Sequence, residues 1–424
     1  MQNSAAVEST HSASRFKDLV RSLGPGIMMA TAAVGGSHLV ASTKAGAIYG
    51  WQLAIVILLV NLFKYPFFRA GVQYTMGTGQ SLIEGYRNLG RGYLWMFTGL
   101  SAISAVVNSA ALLLFSASLF GYFSPLELSL TANAGIIVIL CLAILLAGHY
   151  KALDKISKGI MVVLVAATLG AVIIASSNGA VAPTEYQSPS VWNIAAIGFV
   201  VIMMGWMPAP IEISCLTSLW LKSQRKQQTV TVKSALFDFN VGYIGTAALA
   251  IVFLALGALV LHGNGQELKT SGIGFSHQLV GMYASTIGEW SRYLIAIVAF
   301  FCIFGSTITV IDGYARALAE AQLLLQEKEL DQRRYHNAWM LIVSSVAMGI
   351  LLFFTSALMT MLNFAMILAF MTTPIFALLN YRLMTSEQLK GELALTRRMK
   401  ALCWVGLAYL FGFLAIFIWW KWLM

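Results

Sequence analysis

The segment Met203–Ser214, reading MMGWMPAPIEIS, constrains this chain more than any other stretch. Apolar residues flank it from Val191 to Ile202 and again from Cys215 to Leu221. Pro208 and Pro210 remove two backbone N–H donors and their rings clash with the preceding turn, so a helix does not pass through unbroken. In lipid, backbone carbonyls freed in this way survive only where they line a protein-walled cavity. Glu212 falls just past the break, in the first turn of a second half-helix, where the positive end of the dipole favours an anion. A second interruption, Gly35-Gly36-Ser37-His38, lies inside the apolar run from Ile27 to Tyr49. Paired broken helices in a polytopic membrane protein point to a transporter's binding site between them.

Composition places the chain in a bilayer. Hydrophobic residues make up 58% of its 424 residues and charged residues 10%, against roughly 25% charged in a soluble domain. Mean hydropathy is +0.77. A span needs about 20 apolar residues. Eleven segments qualify: 24–49, 51–72, 93–122, 127–149, 156–176, 191–221, 234–262, 290–325, 338–356, 358–382 and 400–423. The division between the ninth and tenth rests on Thr355-Ser356 alone. Residues 1–23 have no apolar core followed by a cleavage site, so they read as a cytoplasmic N-terminal tail and not a signal peptide. The glycine-rich stretch 263–289 has room for a short interfacial helix.

Charge placement sets orientation. With the N-terminus inside and the spans alternating, all 27 Lys and Arg except Lys44, Lys269, Arg292 and Lys421 fall towards the inner face. Lys64 and Arg69 are counted there with the loop after the second span. Such a bias predicts a multi-pass protein of the inner (plasma) membrane with a cytoplasmic N-terminus. The net charge of +10 is then a topology signal, and no nucleic-acid partner is implied. Cys141, Cys215, Cys302 and Cys403 sit in apolar runs without CxxC spacing, which gives neither a disulfide framework nor a zinc site. No phosphate-binding glycine loop, HExxH helix or GxSxG elbow occurs, so the chain does not read as an enzyme. A potassium-type filter is also missing, which argues against a potassium channel.

The broken helices are the first and the sixth. Each opens a five-helix repeat, over 24–176 and 191–382, the second inverted relative to the first, with an eleventh helix at 400–424. This all-α arrangement places two half-helix pairs at mid-bilayer and permits rocking about a fixed site.

Several motifs then resemble one family. Gly24-Pro25-Gly26, the interruption, Ala45-Gly46-Ala47 and Tyr49-Gly50 match the first helix of the Nramp (natural-resistance-associated macrophage protein) metal transporters without a gap. Thr78-Gly79-Gln80-Ser81-Leu82-Ile83-Glu84 looks like the loop after their second helix. Met207-Pro208 coincides with the Met-Pro of their sixth, and Ser306-Thr307-Ile308-Thr309 with a hydroxyl run in their eighth. The resemblance implies a leucine-transporter fold, proton-coupled secondary transport, and Mn²⁺ or Fe²⁺ as usual cargo. The departures fall at the site. The family's Asp-Pro-Gly-Asn is Gly35-Gly36-Ser37-His38 here, and its Met-Pro-His is Met207-Pro208-Ala209, while a second sixth-helix histidine aligns with Ser214. Carry-over leaves Met207 as a thioether ligand and His38 by position, a pair suited to a transition metal.

The expected substrate-binding residues are Gly35, His38, Met204, Met207, Ala209 and Glu212. His38 is expected to face the cavity, as a metal ligand, a proton group, or an imidazole hydrogen-bonded to freed backbone. Glu212 is the sharpest candidate, because an intramembrane carboxylate is costly and by default functional. With Asp238 and Asp312 it forms the expected proton or ion pathway. Against that, Asp238 reads as a solvated acid at a helix start, and Asp312 as an i,i+4 ion pair with Arg316. Lys44 is expected to snorkel outward. Thr372-Thr373-Pro374 offers hydroxyls to the cavity, and Trp206 walls the site or packs beside it. The chain therefore reads as a transporter of a small cation, a divalent metal ion with a proton as coupling ion and no bound cofactor. The alternatives are a small organic solute such as an amino acid on the same scaffold, or a non-transporting sensor.

Overall fold

The computed structural model describes residues 23–148, 150–265, 269, 272–326, 331–354 and 358–423. The expected tail, apart from Leu23, and the Thr355-Ser356 division lie outside the described residues. Among the described residues all regular structure is helical. The first span is split into Pro25–Ala33, a π-helical turn Ser37–Ser42, and Thr43–Tyr49. The second is Ala54–Thr78, the third Arg91–Phe123, the fourth Leu130–Leu146 and the fifth Tyr150–Asn178. The sixth is split into Ile197–Trp206 and Ile213–Gln227. Val232–Val260, Arg292–Gln326, Gln332–Phe354, Leu358–Met384 and Arg397–Ile418 are the seventh to eleventh. A short helix, Leu82–Leu89, follows the second span, and Gly272–Ile287 fills the long loop where room for a helix was expected.

Local chemistry explains where these helices begin. Ser81 caps Leu82–Leu89 in a reciprocal capping box with Glu84, and Thr231 does the same with Ser234 for the seventh span. Thr396 caps the eleventh. Large apolar side chains such as Ile139, Ile173, Trp192 and Phe353 project outward. That is a surface suited to acyl chains and not to water.

Packing pairs elements across the two repeats. The third and eighth spans cross at the centre, the seventh runs along both halves of the first, and the second lies against Ile213–Gln227. The tenth covers Ile197–Trp206. The seam between first and seventh spans is made of glycine. A Cβ on Gly26, Gly242, Gly46 or Gly257 would come to rest 2.0–2.2 Å from a backbone oxygen of the facing helix. Only glycine lets these backbones touch, the small-residue mode of helix packing in membranes.

Candidate functional site

The two breaks lie side by side at the centre of the bundle, held by the spans that cross there. In the first span, the ladder stops at Ala33, and the carbonyls of Thr31 and Val34 are taken by the eighth span. Ser306 Oγ donates to Thr31 O at 2.9 Å and to Val34 O at 3.5 Å. Cys302 Sγ donates to Val34 O at 3.1 Å. Neutral groups thus satisfy this break. Gly36 faces the Trp206 ring so closely that a Cβ would lie 2.3 Å from it.

In the sixth span the helix ends at Trp206, passes a cis Met207–Pro208 peptide, and resumes after Glu212. Here the exposed carbonyls meet a charge. Lys64 of the second span, 0% exposed, donates from Nζ to Met204 O at 2.7 Å, Gly205 O at 3.2 Å and Ala209 O at 3.4 Å. Met204 and Gly205 belong to the last turn of Ile197–Trp206, so the ammonium sits at the negative end of that half-helix dipole.

Between the breaks is a cavity of about 30 Å³ lined by Gly36, Ser37, Asn108, Trp206, Ala209 and Tyr314 among others. It has room for one or two water-sized bodies. A hydrogen-bonded chain runs along its wall through three spans. Trp206 Nε1 donates to Asn108 Oδ1 at 3.0 Å, Asn108 Nδ2 to Tyr314 Oη at 3.1 Å, and Tyr314 Oη to Glu212 Oε1 at 3.0 Å. Glu212 is 1% exposed. Its Oε2 makes no hydrogen bond of good geometry, with the Ser104 hydroxyl in range. Buried polar groups without a well-aligned partner are rare and costly, which singles this oxygen out among those around the cavity.

Gly36, Trp206 and Ala209 line the cavity, Glu212 reaches its wall through Tyr314, and Gly35 faces Ser306 of the eighth span. Others are placed elsewhere. His38 turns away from the cavity: Nε2 lies 2.8 Å from Thr246 O of the seventh span, and Nδ1 2.6 Å from Ser37 Oγ. The expected cavity-facing imidazole gives way to one that bonds backbone. The Met204 thioether accepts from Tyr409 Oη at 3.6 Å, on the side of the eleventh span, so it is this residue's carbonyl that joins the site. Met207 is fully buried in the apolar cluster around Trp206.

Asp238 departs from the solvated acid expected of it. It is 3% exposed and caps the first span, accepting from Gly24 N at 3.0 Å and Gly26 N at 2.6 Å. Pro25 between them has no N–H to offer, so one carboxylate serves both orphan donors. Asp312 pairs with Arg316 at 2.9 and 3.1 Å and lies 3.1 Å from His336 Nε2. Thr372 and Thr373 bond back to Ala369 O at 3.1 and 2.7 Å, leaving their hydroxyls engaged within the tenth span. Lys44 lies 6.0 Å over the Phe199 ring. Among the described residues, no three of His, Cys, Asp or Glu gather as a metal site.

Sequence reasoning missed Lys64, Asn108 and Tyr314. The signal for Lys64 was present, since a lysine inside the apolar run 51–72 carries the same cost as an intramembrane carboxylate. Counting it as a loop charge was the error, and it removes one residue from the inner-face tally. Asn108 and Tyr314 have no signal of their own. They join the site only because the third and eighth spans cross beside the breaks.

Three comparisons bear on this arrangement. The model of the family described as natural resistance-associated macrophage protein-like (Nramp) matches residues 26–420. The chain is 49% identical over 399 residues to an uncharacterized protein of Pasteurella multocida (strain Pm70), covering 93% of this chain and 91% of that one. Among solved structures it is similar to a histidine-to-alanine mutant of an Eremococcus coleocola manganese transporter. The TM-score is 0.70 at 15% identity, with 95% of this chain and 87% of that one covered. The same transporter in complex with an aromatic bis-isothiourea substituted compound gives 0.69 at 15% identity, covering 94% and 86%. At that identity the likeness speaks for the fold, which is leucine-transporter-like with broken first and sixth helices.

Proposed function

Because the chain belongs to the natural resistance-associated macrophage protein-like family, we propose that it is a multi-pass, secondary-active transporter of a small cation, a divalent metal ion. The observation that carries this reading is the pair of facing breaks with one buried carboxylate, Glu212, behind a cavity of about 30 Å³. That volume suits an ion or a water molecule.

The groups that would hold the cargo are the carbonyl oxygens of Met204, Gly205 and Ala209 and the Glu212 carboxylate. Carbonyl and carboxylate oxygens of this kind suit a hard dication such as Mn²⁺. The coupling ion in this reading is a proton held on Glu212 Oε2, while the Tyr314 hydroxyl, itself fixed by Asn108, donates to Oε1 of the same carboxylate. Asp238 and Asp312 fall outside the route because both are committed to structural partners. Access alternates as one repeat rocks against the other, in a plasma membrane with the N-terminus cytoplasmic.

Mn²⁺ uptake into proteoliposomes under an imposed pH gradient tests this. Wild type should show saturable, gradient-dependent uptake. Glu212→Gln should lower kcat/KM at least roughly tenfold, the loss of about 1.4 kcal/mol. Absence of saturable uptake by wild type in either gradient direction removes the reading.

A further inference from the structure

The carbonyls at the two breaks are treated differently, and the difference calls for an explanation. At the first break a hydroxyl and a thiol suffice. Satisfying freed carbonyls therefore does not require a charge. At the sixth break the donor is a fully buried ammonium, and among the described residues it makes no ion pair. Its three hydrogens meet three carbonyl oxygens, which exhausts its donor capacity. A buried ammonium without a bonded carboxylate is expensive. The compensation here comes from oxygens at a half-helix C-terminus, the kind of oxygen set that holds small coupling cations in broken-helix transporters.

We propose that Lys64 is a tethered stand-in for such a cation: its ammonium fills the oxygen set of Met204, Gly205 and Ala209, and a cargo ion that uses those oxygens has to displace it. The second clause rests on the transport reading above, whereas the first does not. With Lys64 in place and Glu212 ionised, the site is neutral overall. A dication therefore gains no net attraction until the lysine side chain withdraws. Displacement also couples cargo binding to a movement of the second span against Ile213–Gln227, the two elements that pack together there.

The test uses purified full-length protein in detergent, with thermal unfolding followed in NaCl, KCl or MnCl₂ against choline chloride of equal ionic strength. Wild type and Lys64→Arg should unfold at the same midpoint in NaCl, KCl and choline chloride, and only cargo binding should raise the wild-type midpoint in MnCl₂. Lys64→Met and Lys64→Gln leave the carbonyl set empty. Each should show a lower midpoint in choline and a saturable rise with Na⁺ or K⁺. Should neutral variants accumulate only when such a cation is present during purification, that rescue is the same result. Neutral variants that match wild type with no cation response overturn the proposal, as do neutral variants that no cation rescues. Midpoints report the oxygen set and not transport. Failure of Mn²⁺ uptake by wild type would therefore remove the transport reading alone, while loss of the cation response would remove the role given to Lys64 alone.

Discussion

Trp206 holds two jobs in one side chain. Its ring fills the space opposite Gly36, and its indole N–H starts the chain that ends on Glu212. Trp206→Phe keeps most of the ring and leaves Asn108 Oδ1 buried without a donor, a loss of about 1–3 kcal/mol. A fall in the detergent unfolding midpoint, with less effect on Mn²⁺ KM than on kcat, is the expected outcome. An unchanged midpoint would mean that the indole bond contributes nothing net. At this scale the sequence was legible where chemistry is local. Pro208, Pro210 and the Gly35-Gly36 pair announce their breaks, and Glu212 announces itself by its cost in lipid. It was not legible where a partner is far along the chain. Nothing near His38 shows that its imidazole will find Thr246 O, and nothing near Asp238 shows that it will cap Pro25–Ala33.

Elements are where hydropathy speaks most clearly. All eleven expected spans correspond to described helices, with the first and sixth interrupted where Gly and Pro demand it. What periodicity does not reveal is which helix faces which. The seam of Gly26 with Gly242 and Gly46 with Gly257 is a product of the crossing, and each glycine on its own reads only as a small residue. Gly257→Ala would drive a methyl group to 2.2 Å from Thr43 O. Overpacking of that kind costs about 1–3 kcal/mol. The unfolding midpoint should drop accordingly, whereas Gly245→Ala on the same helix, with open space around it, should hold it or raise it slightly, since alanine is the better helix former. Equal effects at both positions would contradict a seam held by close backbone approach.

Across the whole molecule, one cluster ties separate parts together away from the cavity. Lys222, at the far end of the sixth span, bonds Glu84 of the short helix after the second span at 2.7 Å and Glu320 of the eighth at 3.3 Å. All three side chains are part-exposed, so the network adds little to global stability, about 1 kcal/mol or less per pair. Its position suggests a different role, a latch across the face that must part for the cargo to leave. Glu84→Gln with Glu320→Gln should barely move the unfolding midpoint. It should raise the alkylation rate of Cys215, a buried thiol of the same half-helix as Lys222, several-fold as followed by peptide mass spectrometry. An unaltered rate would show that the latch does not hold that face closed.

The ammonium at the sixth break has an electrical corollary. While it fills the carbonyl set it balances an ionised Glu212, so the carrier returns with no net charge at the site. Its return stroke is then indifferent to the transmembrane voltage. A neutral residue at position 64 would leave that carboxylate uncompensated, and for a charge crossing the full field 100 mV amounts to about 2.3 kcal/mol, a partial crossing scaling down in proportion. Turnover at saturating cargo would therefore gain a voltage dependence through the unloaded half of the cycle in that variant.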